Sequence, residues 1–154
     1  MIQMGLAVRY YFIQRFAVSA QSAFDWCTNF DPEDHLLMGD ANAKRQVSHI
    51  TNDTIILNDS FPSSSGPIEK QKLVQLYPSK LSWTSTHLTG PNKYSQFLYK
   101  ITSQGKGFST LNFTGLHIEY DEKVDTKLLA DRLCKEDAAA WKLLAEAMVR
   151  ESGK

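Results

Sequence analysis

Cysteine is scarce in this sequence of 154 residues, which has only Cys27 and Cys134. The two are far apart, form no CxxC pair and have no histidine nearby at ligand spacing. This scarcity argues against a disulfide framework and against a structural zinc site. We therefore expect two buried thiols and no bound metal.

Net charge is also absent, because 17 basic and 17 acidic residues cancel. Without a basic excess, nucleic-acid binding has no electrostatic basis. No run approaches the roughly 20 apolar residues that span a bilayer, and the first residues lack the pattern of a secretion signal. We expect no nucleic-acid partner, no stable membrane insertion and a cytoplasmic location.

Motifs that encode common enzyme classes are missing as well. The sequence has no Walker glycine loop, dinucleotide fingerprint, HExxH or GxSxG. No cofactor is therefore expected. An enzyme that needs only a shaped pocket and one or two proton donors would leave no such motif, so catalysis stays open.

The composition is that of a globular protein, with 42% apolar and 22% charged residues. A chain of this length forms one domain by default and buries roughly 70% of the surface that its unfolded form exposes. We expect a single domain over residues 1–154.

About six or seven strands are expected, from the following patterns. An alternation of apolar and polar residues, rich in β-branched and aromatic side chains, predicts the first strand over Ala7–Ser19. Further runs of strand-forming residues are separated by turns containing Asn, Gly, Pro or Ser. They predict strands over Arg45–Thr51, Thr54–Phe61, Ile68–Tyr77, Lys80–Thr89, Lys93–Ser103 and Gly107–Tyr120.

Helical spacing appears in three places. Apolar residues predict a short helix over Ala20–Cys27, and Pro32–Met38 forms a second that begins with proline and ends before glycine. From about Val124 onwards the pattern predicts a long amphipathic helix of roughly seven turns. The fold class is α+β, with a curved antiparallel sheet of about six or seven strands around this helix.

Turn positions predict which residues face each other in the last two strands, because antiparallel partners are equidistant from the turn. If Gly105 centres the final turn, Phe97 faces Phe113. Tyr99 then faces Leu111. The large apolar side chains of both strands fall on one face of the sheet.

The preceding hairpin is treated in the same way. If Gly90 centres its turn, Trp83 faces Phe97 and Leu81 faces Tyr99. The apolar face therefore continues onto a third strand.

Two further residues extend this face toward the Gly90 turn. Ser85 lies beyond Trp83, and His87 follows it, opposite Lys93 near the rim. His87 either orients or protonates a ligand carbonyl or ends the strand in solvent. Gly115 suggests a bulge or bend in the last strand and leaves the side of His117 undecided.

The order of these elements resembles the START-like, or SRPBCC, helix-grip superfamily, which includes polyketide cyclases and dehydrases, lipid-transfer domains and birch-pollen-type plant allergens. The resemblance covers essentially the whole chain. It is most recognisable where Arg15–Ala20 leads into Ala23–Trp26, and over Ala138–Ala147. The plant allergens have a glycine-rich loop where this sequence has Thr51–Thr54, so their ligands are not carried over.

The resemblance implies a cavity between the sheet and the long helix that accepts a small hydrophobic or aromatic molecule. Binding or transport of this molecule is the first expectation, a polyketide cyclase- or dehydratase-like enzyme the second, and a chaperone-activator type of interaction module the third. Oligomeric state is left open. The residues that could line the cavity, or form plain core, are Trp83, Ser85, His87, Phe97, Tyr99, Leu111, Phe113 and Trp141.

Overall fold

The computed structural model describes residues 4–30 and 42–152. Seven strands form one antiparallel sheet in the order β1-β7-β6-β5-β4-β3-β2. The strands are β1 Leu6–Phe16, β2 Lys44–His49, β3 Thr54–Phe61, β4 Ile68–Tyr77, β5 Ser82–His87, β6 Gln96–Ser103 and β7 Ser109–Glu119. The helices are α1 Ala20–Cys27 and α2 Thr126–Ser152, and a short 3₁₀ turn occupies Pro78–Lys80.

The expected α+β helix-grip architecture is therefore present. The long helix α2 packs along β1 and faces the concave side of the sheet. The second short helix expected over Pro32–Met38 lies outside the described residues. Cys27 and Cys134 are half-buried rather than fully buried.

Some strands begin or end at residues other than those predicted, because the neighbouring residues belong to a helix cap or a turn. β1 stops at Phe16 because Ser19 caps α1, its hydroxyl oxygen accepting a hydrogen bond from the Ser22 amide. β5 begins only at Ser82, since Lys80 belongs to the 3₁₀ turn. β6 begins at Gln96 because the chain before it forms a tight turn.

The predicted register of the last two strands is wrong by two residues. Phe97 lies opposite Gly115, and Tyr99 lies opposite Phe113 rather than Leu111. The turn is longer than expected, because the Gln104 amide donates to the Phe108 carbonyl across a five-residue turn. A shift of two residues keeps every side chain on its expected face.

The β5–β6 hairpin is displaced by the same amount. Trp83 lies opposite Tyr99, and Ser85 rather than Trp83 lies opposite Phe97. The His87 amide donates to the Ser95 carbonyl, so His87 is not opposite Lys93. Leu81 is not paired with Tyr99 because it lies before the strand.

The filled part of the core lies beneath the start of α1 and the last turns of α2. Phe16 and Leu111 come from the sheet, Phe24 from α1, and Met148 from α2, and each is at least nine-tenths buried. At its start α2 is capped by Asp125, whose carboxylate accepts the amides of Lys127 and Leu128. Because these core side chains fill only one end of the concave face, its middle is left for a cavity.

Candidate functional site

A cavity of about 420 Å³ lies between the concave face of the sheet and the helices. This volume falls within the roughly 300–1,000 Å³ range of small-molecule sites in proteins. α2 supplies one wall, the end of α1 another, and strands β2 to β7 the rest. Its aromatic lining consists of Trp26, Phe30, Trp83, Phe97, Tyr99, Phe113 and Trp141.

Register explains how distant residues form one aromatic surface. Trp83, Tyr99 and Phe113 are direct neighbours across β5, β6 and β7. The rings of Trp83 and Tyr99 stack with centroids 4.8 Å apart, and Phe113 meets Tyr99 edge-on at 5.2 Å. Trp141 reaches down from α2 to within 5.8 Å of the Tyr99 ring centroid. The cavity is therefore bounded by packed aromatic rings both on the sheet and on α2.

Seven of the eight residues singled out in the sequence line this cavity: Trp83, Ser85, His87, Phe97, Tyr99, Phe113 and Trp141. The eighth, Leu111, is completely buried in the filled core and does not reach the cavity. The Leu111 side chain lies on the expected face of β7. The two-residue shift in register, however, places it one cross-strand row further from the cavity.

Three polar groups in the cavity wall lack protein partners within the described part of the chain. The hydroxyls of Ser85 and Tyr99 and the imidazole of His87 make no side-chain hydrogen bond there. Ser85 is only 7% exposed. Buried polar groups are normally satisfied, so these atoms are positioned to bind polar atoms of a guest molecule or water.

His87 is held in its neutral form at physiological pH. Burial, together with the positive charges of Lys72 and Lys70, lowers its pKa to about 4. Lys72 is its direct cross-strand neighbour. A neutral imidazole can donate one hydrogen bond and accept another.

Charged side chains occupy the concave face of the strands on the other side of the cavity. Arg45, Asp59 and Lys70 are neighbours across β2, β3 and β4. The Arg45 Nε donates to Asp59 at 2.7 Å, and the Lys72 Nζ donates to its second oxygen at 3.0 Å. Burial would raise the pKa of Asp59, but these cations outweigh it and hold that pKa below its ordinary value.

Sequence reasoning missed this group, although the signal was present. In β3 the alternation of Ile55 and Leu57 continues to Asp59, so a period of two already places the carboxylate on the apolar face. In β4 the same period links Val74 with Lys72 and Lys70. The sequence analysis followed this period for the large apolar side chains of the later strands and did not apply it to the charged residues of β3 and β4.

Asp137 was missed in the same way. It lies on α2 four residues before Trp141, lines the cavity and accepts a hydrogen bond from the Tyr10 hydroxyl. Burial raises the pKa of the Asp137 carboxyl, although the Tyr10 hydrogen bond acts in the opposite direction. A carboxyl group in a cavity wall with a raised pKa is a candidate for proton transfer.

Gly115 makes room for this pair. A Cβ on Gly115 would lie 2.5 Å from the Tyr10 ring, so only glycine allows the ring to lie over β7. The expected bulge is absent, because β7 keeps a continuous register with β1 and β6. The glycine serves close ring packing instead.

His117, whose side the sequence left undecided, lies buried on the concave face near the rim. Its Nε2 is 3.2 Å from the Asn92 amide nitrogen and 3.0 Å from a Glu119 oxygen. The hydrogen bond with His117 lowers the pKa of Glu119. Asn92 thus links β7 to the β5–β6 turn, and the Nε2 of His117 is already occupied by protein partners.

Other kinds of site are not found in residues 4–30 and 42–152. No three side chains among His, Cys, Asp and Glu are grouped closely enough there to hold a metal ion. Within the same residues no helix is long and apolar enough to cross a membrane.

Sequence comparison identifies no relative: no family model matches the chain, and no curated protein matches it. Solved structures do match. The Zhui aromatase/cyclase from Streptomyces sp. superposes with a TM-score of 0.72 at 12% identity, covering 96% of this chain and 99% of that one. Norcoclaurine synthase from Thalictrum flavum, in complex with dopamine and hydroxybenzaldehyde, has a TM-score of 0.70 at 14% identity, covering 95% and 88%.

A START superfamily protein from Mycobacterium smegmatis matches with a TM-score of 0.63 at 14% identity, covering 92% of this chain and 94% of that one. At such low identities the likeness concerns the fold. The chain has the START-like helix-grip fold, and the resemblance drawn from the sequence is confirmed at that level.

Proposed function

We propose that this protein binds a small, largely aromatic or apolar molecule in the cavity between the sheet and α2. The observation that carries the proposal is the cavity of about 420 Å³ with seven aromatic rings in its wall. Contact between apolar surface and water is unfavourable. An apolar guest that covers the rings of this cavity would therefore bind favourably. The aromatic molecules named with the norcoclaurine synthase structure support a guest of this class.

The unpartnered polar groups indicate what the guest must offer. Tyr99 and Ser85 can each donate one hydrogen bond, and neutral His87 can donate or accept. A guest with carbonyl, phenol or similar oxygens would satisfy them, whereas a pure hydrocarbon would leave them unpaired at a cost of about 1–3 kcal/mol each. We therefore propose an oxygen-bearing aromatic molecule rather than an alkane chain.

Ser85→Phe tests the cavity directly. Ser85 occupies the wall between Val74 and Phe97, where a new ring would project into the space proposed for the guest. We expect titration with the neutral fluorescent probe N-phenyl-1-naphthylamine to show at least about a tenfold loss of affinity. Stability should fall by less than about 1 kcal/mol, because an empty space accepts a ring that a filled core would not.

Thr84→Phe provides the matched control, since Thr84 is the neighbour of Ser85 on the opposite face of β5. It should leave probe affinity unchanged. Unchanged affinity in a stably folded Ser85→Phe variant would exclude this wall from the binding site. Native mass spectrometry of the purified protein would identify any guest that copurifies.

A second candidate is an enzyme of the cyclase or dehydratase kind acting in the same cavity, and Asp137 favours it. Its carboxyl group lines the cavity and has a raised pKa, as a general acid or base requires. The elementary step of such chemistry is removal of a proton next to a carbonyl group. The chain shares its fold with an aromatase/cyclase.

Proton exchange would test this candidate without knowledge of the natural substrate. 2-Acetylnaphthalene in D₂O exchanges its methyl protons when a base removes one and a deuteron returns. We expect the wild type to accelerate the exchange seen by NMR and Asp137→Asn to lose that acceleration, since an amide cannot take up the proton. Equal rates for both proteins at matched probe occupancy would exclude Asp137 as the base.

A further inference from the structure

Two lysines face the aromatic cavity from a strand that otherwise contributes apolar residues. Lys70, Lys72 and Val74 alternate along β4, and all three line the cavity. Lysines are seldom directed toward an apolar interior, because burial disfavours their charge. Their position in the wall therefore calls for a negatively charged counterpart.

The charges already present satisfy only one of these lysines. Both oxygens of Asp59 are occupied, one by Arg45 Nε at 2.7 Å and one by Lys72 at 3.0 Å. Lys70 forms no ion pair with any carboxylate of the described residues. Its ammonium group lies 5.6 Å from the centroid of the Phe61 ring instead.

Burial, followed by repulsion from Lys72, lowers the pKa of Lys70. A bound anion would oppose both effects, because it places an opposite charge beside the ammonium group. Asp59 already favours the charged form of Lys70, but its oxygens are taken by other donors.

Lys70 also lies at the edge of the cavity. It is the third residue of β4 and is half-buried, so its part of the cavity wall meets water. A guest that reaches Lys70 would thus have its body among aromatic rings and its end at a hydrated edge.

We propose that the guest of this cavity carries one acidic group, and that Lys70 binds this group while the apolar body occupies the aromatic cavity. This inference rests on the proposed binding function and specifies its ligand class as an aromatic or apolar acid. Lys72 is the next residue on the same face of β4. It adds positive charge near the acid while it keeps its hydrogen bond to Asp59. Neutral His87, the cross-strand neighbour of Lys72, can donate a further hydrogen bond to the acid.

A matched pair of fluorescent probes tests the acid requirement. N-Phenyl-1-naphthylamine and 1-anilinonaphthalene-8-sulfonate share the same ring framework, and only the second has an anionic group. We expect the wild type to bind the sulfonate about tenfold more tightly, as one charge-assisted contact allows. That preference should shrink as salt is added, while affinity for the neutral probe stays constant.

Lys70→Met assigns the preference to this residue, since methionine keeps the length of the side chain without its charge. We expect sulfonate affinity to fall about tenfold to the level of the neutral probe, with neutral-probe affinity unchanged. Lys70→Arg should restore most of the preference. Lys100→Met, on the convex face of β6, is the matched control and should behave as wild type.

The outcomes separate the two proposals. Equal binding of both probes by the wild type, or a preference that survives in folded Lys70→Met, would overturn the acid-binding inference and leave the cavity proposal standing. Failure of the wild type to bind either probe would overturn the proposed function and the inference with it. Denaturant unfolding of each variant establishes that it is folded before it is titrated.

Discussion

The two sides of the concave face line the cavity with different kinds of side chain. On β5 to β7 the wall consists of rings that contact one another, with Trp83 stacked on Tyr99. On β2 to β4 the wall contains an ion-paired group, with Asp59 between Arg45 and Lys72, beside the apolar Leu57 and Val74. The aromatic side derives its rigidity from packing, and the charged side from directed ion pairs. The guest that we propose, with an apolar body and an acidic end, would contact both sides.

The aromatic side should be the more sensitive to truncation. Phe113 is 2% exposed and its ring contacts those of Tyr10, Phe12, Phe97 and Tyr99. We expect Phe113→Ala to lower the free energy of unfolding by about 3 to 5 kcal/mol, since the neighbouring rings cannot close the gap. Denaturant titration measures the loss.

Thr114→Ala is the control for that prediction. Thr114 lies next in β7 but on the exposed convex face, where substitutions usually change stability by less than about 0.5 kcal/mol. Similar losses for both variants would show that the aromatic side is no more tightly packed than the surface.

The charged side should respond less, and in a way that depends on pH. Asp59→Asn leaves Arg45 and Lys72 without their shared carboxylate, although about a fifth of each side chain still meets water. We expect a loss of about 2 to 3 kcal/mol at neutral pH. The exposed Asp53→Asn, in the β2–β3 turn, should change stability little.

The sign of the pH dependence follows from the lowered pKa of Asp59. In acid the unfolded state takes up this proton before the folded state does, so the ion pair's contribution is lost as pH falls through the folded pKa. The difference between wild type and Asp59→Asn should therefore shrink in acid. A constant difference down to pH 2 would contradict the assignment of that stability to the carboxylate charge.

The smallest effect is expected where the two sides meet, at His87. Its folded pKa of about 4 lies below the unfolded value of 6.5, so between these values the unfolded state binds more protons. Wild-type stability should decline as pH falls from 6.5 to 4, and His87→Gln should decline less. Unfolding curves at pH 4.5 and pH 8 suffice, and coincident declines would show that His87 is not held neutral.

Sequence patterns predicted the strands, their approximate limits and the long helix because side-chain periodicity is a local property. β3 and β4 were placed with their observed ends, Thr54–Phe61 and Ile68–Tyr77. Register depends on the exact length of a turn, and Gly105 was a plausible centre for a turn that in fact extends to Phe108. The resulting shift of two residues moved pairings without moving faces.

The candidate site was predicted on its aromatic side only. Ring-bearing residues such as Trp83 and Trp141 were recognised because apolar residues at regular spacing mark an interior face. The cytoplasmic location, the single-domain assignment and the ligand role of these residues stay predictions. Lys70 and Asp137 escaped notice because a charged residue in isolation is most economically assigned to solvent.

By itself, then, the sequence determined which residues share a face of each element, since periods of two and of 3.6 are written into the order of side chains. Only the tertiary structure decided which faces meet. The approach of Tyr10 to Asp137 requires a strand and a helix far apart in the chain, and Gly115 from a third element to admit the ring. The combination of a filled core around Leu111 with a hollow beside Ser85 likewise depends on how two curved surfaces fit, which no local pattern encodes.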